Sequence, residues 1–174
     1  MQRTVQAAIV ATLIALMGTA PGLGRASASA GDAPRRDSIA LNSRGTAHDE
    51  SADPLRFVYT LPLYSLVTGR QIGTAVDEAT CVSSTPPPCA VVDDTQTFHM
   101  SEGDIVSHAL VSVVPDPQRP GFILTGSRPS ANTIVKATGR FAGRTGVVRE
   151  SAADDARAFP GTIVEDAFWV IDLS

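Results

Sequence analysis

Lysine is almost missing from this chain of 174 residues; only Lys136 is present. Basic groups are few overall, with 14 Lys and Arg against 18 Asp and Glu. Setting aside Arg3 and Arg25 of the N-terminal segment leaves 12 basic against 18 acidic residues. A chain this acidic is a poor partner for nucleic acid or an anionic membrane. Aromatics make up 5% of the residues, with one Trp. There are two cysteines, too few for a thiolate zinc site without histidine companions, and none stands near. No serine sits in a G-x-S-x-G elbow, so a serine hydrolase has no support. No segment beyond the N-terminus carries an apolar period of 3.6, which excludes a helical bundle.

The N-terminus does carry a pattern. Arg3 precedes an apolar run from Val5 to Met17, and Ala28-Ser29-Ala30 forms a small-residue cleavage site. This reads as an export signal over residues 1–30, with an uncleaved anchor as the alternative. Cleavage leaves no integral membrane span, so the mature protein is expected to be secreted. Residues 31–54 are rich in Gly, Ala, Ser, Arg and Asp and have few large apolar groups, the composition of a disordered leader. The folded domain is then expected over 55–174. In an exported protein the pair Cys81 and Cys89, either side of a Pro-rich loop, reads as a disulfide.

Within the domain, β-branched and apolar runs alternate with turn clusters. Strands are expected at about 55–61, 71–81, 89–100, 104–114, 120–126, 132–138, 145–152 and 162–173. Ser151 to Ala158 is the best helical alternative, but it is short and polar and reads as a loop. The whole predicts an all-β protein, an eight-stranded antiparallel barrel or a sandwich, and a barrel removes the edges a small sheet would expose. Gly139, Gly143 and Gly146 punctuate the stretch between two strands, as a tight re-entrant turn requires. The stretch nearly imitates a phosphate loop, but it lacks the lysine and the strand–helix setting.

Ala137-Thr138-Gly139-Arg140-Phe141-Ala142-Gly143-Arg144-Thr145-Gly146 resembles the A-T-G-x-(F/Y)-x-G-x-x-G segment of the allene oxide cyclase and dirigent barrels. Glu102-Gly103-Asp104-Ile105 resembles their L-x-D-G-x-I hairpin, and Leu63-Tyr64 leads to Gly69 and Gln71-Ile72-Gly73-Thr74 in matching order. The likeness is strongest to the bacterial branch that includes spirotetronate cyclases. It implies an eight-stranded antiparallel barrel over residues 55–174, assembled as a homodimer or homotrimer, with a largely apolar pocket. It also implies a cyclase or isomerase that uses no metal and no organic cofactor and acts on a hydrophobic small molecule, polyketide- or oxylipin-like. Ala90-Val91-Val92-Asp93-Asp94 stands where those enzymes carry pocket-facing aromatics. A non-catalytic binder of a hydrophobic ligand and dirigent-like stereocontrol of coupling are the alternatives on the same fold.

Several residues are candidates for chemistry. Asp77-Glu78 and Glu165-Asp166 are acidic pairs on strands, and alternation turns one member of each inward. A carboxyl in an apolar barrel can serve as general acid or base, whereas an outward one pairs with arginine. Glu78 and Glu165 are taken as the candidates. His99 and His108 fall on consecutive strands, and His108 is the third acid–base candidate; a plain surface histidine is the alternative. Arg149 can fork onto an anionic ligand group or sit outside as a surface charge. Tyr59, Tyr64 and Trp169 complete the ligand-contact candidates, with packing as their ordinary role.

Overall fold

The computed structural model describes residues 37–82, 89–127, 132–159 and 161–174. The chain from 37 onward is nearly all strand: β1 Asp37–His48, β2 Arg56–Ser65, β3 Gln71–Cys81, β4 Val91–Met100 and β5 Gly103–Pro115. These are followed by β6 Phe122–Ser127, β7 Thr133–Ala137, β8 Gly146–Asp155 and β9 Thr162–Leu173. Burial alternates residue by residue, clearest in β9, where Ile163, Glu165, Ala167, Trp169, Ile171 and Leu173 are all buried. That period of two fixes which side chains face the interior.

The strands close into an antiparallel ring in the order β1, β2, β3, β4, β5, β6/β7, β8, β9. β6 and β7 share one place. β6 lies against Val111–Pro115 of β5, and β7 against Ile105–His108 of the same strand. Both also pair with β8. The nine strand segments among the described residues therefore make an eight-stranded barrel. The expected strand from 145 to 152 continues to Asp155, through most of the segment weighed as a helix.

The leader reading of residues 31–54 needs correction. Asp37–His48 is β1, and every one of its residues is in register with β9, from Asp37 opposite Leu173 to His48 opposite Thr162. Its inward positions are Leu41, Ser43 and Ala47, each almost fully buried. Small side chains suffice there because large ones such as Trp169, on the neighbouring β9, fill the interior. A composition rule counts apolar bulk and misses a strand held by its ladder. The export-signal reading of residues 1–30 lies outside the described residues.

One end of the barrel is solid. Leu41, Leu63, Phe98, Ile105, Phe141 and Trp169 pack in one cluster. Phe98 meets the edge of Trp169 at 5.7 Å between ring centroids. Phe141 is delivered by the 3-10 turn Gly139–Phe141. The turn reaches the barrel because its backbone lies directly on the β4–β5 turn. Arg140 N donates to Glu102 O at 2.8 Å, Thr138 N donates to Asp104 O at 2.9 Å, and Asp104 N donates to the Thr138 hydroxyl at 2.8 Å. Gly139 has φ +58°, and a Cβ on it would stand 2.2 Å from Glu102 O. Gly143 has φ +76° with open space around it.

Two outcomes follow from this architecture. Gly143→Ala should lower stability by roughly 1–2 kcal/mol, the cost of a left-handed alanine. Gly139→Ala should cost distinctly more in the same urea titration, because the backbone contact must open; equal losses would remove the contact from the argument. A chain starting at Leu55 leaves β2 and β9 with bare edges. It should lose the cooperative circular-dichroism melt that a chain starting at residue 34 keeps.

Candidate functional site

Register builds the interior in layers. Leu61, Ala75, Phe98 and Ile105 are successive ladder partners across β2 to β5, an apolar row whose last three members belong to the solid end while Leu61 packs with Phe57 and Tyr59. Two residues along each strand, the row becomes Tyr59, Asp77, Gln96 and Ser107. Two further along, it reads Phe57, Ala79, Asp94 and Ala109. A polar layer thus lies directly on the apolar plug. From the far wall, β8 adds Glu150 and Asp154 and β9 adds Glu165. Tyr59, Asp77, Asp94, Glu150, Asp154 and Glu165 line a cavity of about 90 Å³. Apolar side chains flank it, among them Phe57, Val92, Val111, Ile123, Phe159 and Ile163.

Five carboxyls therefore face one space: Asp77, Asp94, Glu150, Asp154 and Glu165. Asp94, Asp154 and Glu165 are only 4%, 5% and 4% exposed. Each of the five belongs to an adjacent charged pair in the sequence, and the other member of the pair points out and finds an ion partner on the outer surface. Glu78 bonds Arg56 at 2.8 Å, Asp93 faces His108 at 2.6 Å and Arg149 bonds Asp172 at 2.6 Å. Asp155 pairs with Arg157, and Asp166 lies 3.4 Å from Arg44. Among the described residues, no Arg, Lys or His lines the cavity.

Gln96 is the hub of the polar layer. Its Nε2 donates to Glu150 Oε2 at 2.7 Å, and its Oε1 accepts from Asn132 Nδ2 at 3.3 Å. One amide cannot satisfy five carboxyls. Oδ1 of Asp77, of Asp94 and of Asp154 is buried without a hydrogen-bond partner.

Burial sets the titration of this group, because a low-dielectric wall disfavours the charged form. Asp77 is pushed up to about 7 by burial, against a lowering by the Gln96 hydrogen bond. Glu150 rises to about 8, from burial first and then the charge of Asp77. Asp154 rises to about 7, from burial and then the charges of Asp77 and Asp166. Asp94 and Glu165 are held well above the ordinary carboxylate range, by burial and then by the other acids of the cluster. The Tyr59 phenol is raised too, by burial and then by Asp49, Asp154 and Glu165. Burial thus moves all five carboxyls toward holding their protons at higher pH, the direction that suits a carboxyl to donate or accept a proton near neutrality.

The sequence candidates separate cleanly by position. Glu165 and Tyr59 line the cavity. Glu78, His108 and Arg149 do not; they form the outer ion pairs given above, with side chains about half exposed. The inward member of the first acidic pair is Asp77, so the pair alternates as strand geometry requires, with Glu78 on the outer face against Arg56. Tyr64 is half-buried and sits opposite Asn42 on β1, outside the lining. Trp169 is fully buried in the solid end, where its Nε1 has no hydrogen-bond partner. His99 and His108 both face outward, four ladder positions apart, roughly 13 Å at strand spacing. His99 pairs with Asp104 at 3.0 Å instead. Asp77, Asp94, Glu150 and Asp154 were missed as cavity residues. Their signal was available: each stands beside a second charged residue within a strand.

The Cys81–Cys89 disulfide is present, with Cα atoms 5.7 Å apart, and Cys89 reaches the cavity lining. Among the described residues no group of three His, Cys, Asp or Glu side chains stands at metal-holding geometry. No described helix is long and apolar enough to cross a membrane. No protein-family model matches the chain, and no curated protein does. Among solved structures the chain is similar to pyocyanin demethylase, at 15% identity and a TM-score of 0.42, over 80% of this chain and 100% of that one.

Proton linkage gives the cluster a measurable signature. These carboxyls keep their protons to higher pH in the folded chain than in the unfolded one, where they titrate near 4. The folded state therefore binds more protons across that interval, and stability falls as pH rises. The midpoint of thermal unfolding should drop from pH 5 to pH 8.5, with the steepest loss between about 5 and 7 and a levelling off through the folded values near 7 to 8. Asp77→Asn combined with Glu150→Gln should flatten the slope. A midpoint independent of pH, or rising with it, would contradict raised values in the folded state.

Proposed function

We propose that this barrel binds a small molecule in the acid-lined cavity and catalyses a proton-transfer isomerisation or cyclisation on it without a cofactor. The observation that carries the reading is the cavity itself: five carboxyls and a tyrosine around one space, between an apolar plug and apolar flanks. A protonated carboxyl on one wall donates a proton while an ionised one on another accepts, so no net proton is gained or lost. Asp77, Glu150 and Asp154 are the acid–base candidates, because their pKa values lie nearest working pH. Glu165 and Tyr59 border the same space and orient the ligand.

The size of the cavity shapes the reading. Sites for whole small molecules run to roughly 300–1,000 Å³. About 90 Å³ admits one end of a ligand, with the remainder against the apolar flanks. The motif resemblance to allene oxide cyclase and dirigent barrels supports a small-molecule role of this kind. An extracytoplasmic setting suits the Cys81–Cys89 bond and the signal-like N-terminus. The second reading is a non-catalytic binder, favoured by how little room the cavity offers a reacting substrate.

Native mass spectrometry of the protein recovered from its own producing cells tests the proposal. The expected result is one small molecule per chain, absent after Ala79→Phe, which fills the cavity. Conversion of that molecule or its acyclic precursor during incubation marks an enzyme; recovery unchanged marks a binder. An empty protein before and after substitution would overturn both readings.

A further inference from the structure

We infer that the ligand of the cavity is an organic cation with an apolar body, its protonated nitrogen group donating to the carboxyls of Asp77, Asp94, Glu150, Asp154 and Glu165. This rests on the proposal that the cavity is a small-molecule site, and it names the ligand's chemistry.

Four observations converge on it. Oδ1 atoms of Asp77, Asp94 and Asp154 are buried acceptors with no donor. Asp94 and Asp154 are at least nine-tenths buried, and both line the cavity. A buried acceptor left unpaired is costly, and a ligand bearing N–H groups relieves the cost. Next, among the described residues the wall supplies no counter-charge, and Arg44, Arg56, His108 and Arg157 are engaged on the outer face with the other halves of the acidic pairs. Third, the acids arise from β3, β4, β8 and β9 around the wall and do not gather at metal-holding geometry. A polyatomic cation with several divergent N–H donors fits that spread better than a point ion. Last, Phe57, Val111, Ile123, Phe159 and Ile163 give the rest of the ligand a hydrocarbon surface. An anion here would find no cation among the described lining residues and would be repelled by every acid that is ionised.

Occupancy must be coupled to protons. The titratable groups facing the cavity are the five acids and Tyr59 of β2, and each proton the acids lose strengthens cation binding. Affinity for a permanently charged ligand should therefore rise with pH, by up to about tenfold per unit for each proton released.

Benzamidinium, benzamide and benzoate share one shape and carry positive, zero and negative charge, so they isolate the inference. Calorimetric titration of the full chain with each, at pH 6, 7 and 8, is the experiment. Benzamidinium should bind at least about tenfold more tightly than benzamide at pH 8. Its affinity should rise from pH 6 to pH 8, and benzoate should not bind. Asp77→Asn with Glu150→Gln should abolish the rise; the pH series on the unaltered chain stands even where that variant folds poorly. Benzamide or benzoate binding as tightly as benzamidinium overturns the inference and leaves the cavity standing as a small-molecule site. No binding by any of the three also overturns it, and native mass spectrometry then decides separately whether the cavity holds a ligand. A neutral or anionic metabolite recovered from the producing cells overturns the inference while upholding the site.

Discussion

Five carboxyls share a space of about 90 Å³ with no cation among the described residues of its wall, and that constraint governs the rest of the molecule. Charged together, they would repel at close range in a medium that screens poorly. The fold meets this in three ways. Burial keeps protons on several of them at a pH where free carboxyls have lost theirs. Gln96 bridges from β4 to Glu150 on β8 and gives that acid a donor. The plug below, from Leu41 to Trp169, supplies apolar burial unconnected with the acids. A barrel with an apolar interior throughout would be the simpler solution to stability alone. Retaining five acids at its centre is the kind of local cost that accompanies a functional site.

The division of the barrel into two ends explains why the glycine-rich motif and the acids do not touch. Gly139 lets the 3-10 turn lie against the β4–β5 turn and place Phe141 into the plug. Its role is closure, and closure gives the acid layer a fixed floor. Closure of the ring itself is the work of β1, paired along its whole length with β9. Glu165 lies opposite Gly45 in that ladder, so the strand that completes the ring also backs one of the five acids. A motif that resembles a cyclase family thus carries the fold, and the acids of the cavity are residues the motif does not include.

Strand periodicity was largely legible in the sequence. Runs such as 71–81 and 162–173 alternate and end at turn residues, and the structure keeps both boundaries. The strand count of eight was reached by compensation: β6 and β7 counted as two places and β1 as none. β1 was illegible because Ser43, Gly45 and Ala47 have the composition of a leader; only its partner β9 makes it a strand. At the site, alternation required one inward acid from each acidic pair without setting the phase. Phase depends on neighbouring strands. Asp77 is inward because its ladder partners Tyr59 and Gln96 are, and Glu78 is outward because Arg56 waits there. Asp93-Asp94, Arg149-Glu150 and Asp154-Asp155 carried the same signal, visible only once one asks which charged pairs recur at facing positions.

Protons and ligand compete for the same oxygens, so stability and occupancy lie on one axis. At low pH the acids are neutral, the empty barrel is at its most stable, and a cation has little to bind. As pH rises, the ionising carboxyls weaken the empty barrel and create the negative field that a cation relieves. The condition that most destabilises the empty fold is therefore the condition under which a cationic ligand stabilises it most, because both effects come from the same ionisations. A neutral ligand would not couple in this way, since its contacts would not offset the charge that appears. The arrangement of outer arginines is consistent with this division. Placed inside, any one of them would neutralise the acids permanently; placed outside, they hold the other halves of the acidic pairs and leave the interior charge to be met by protons or by a ligand.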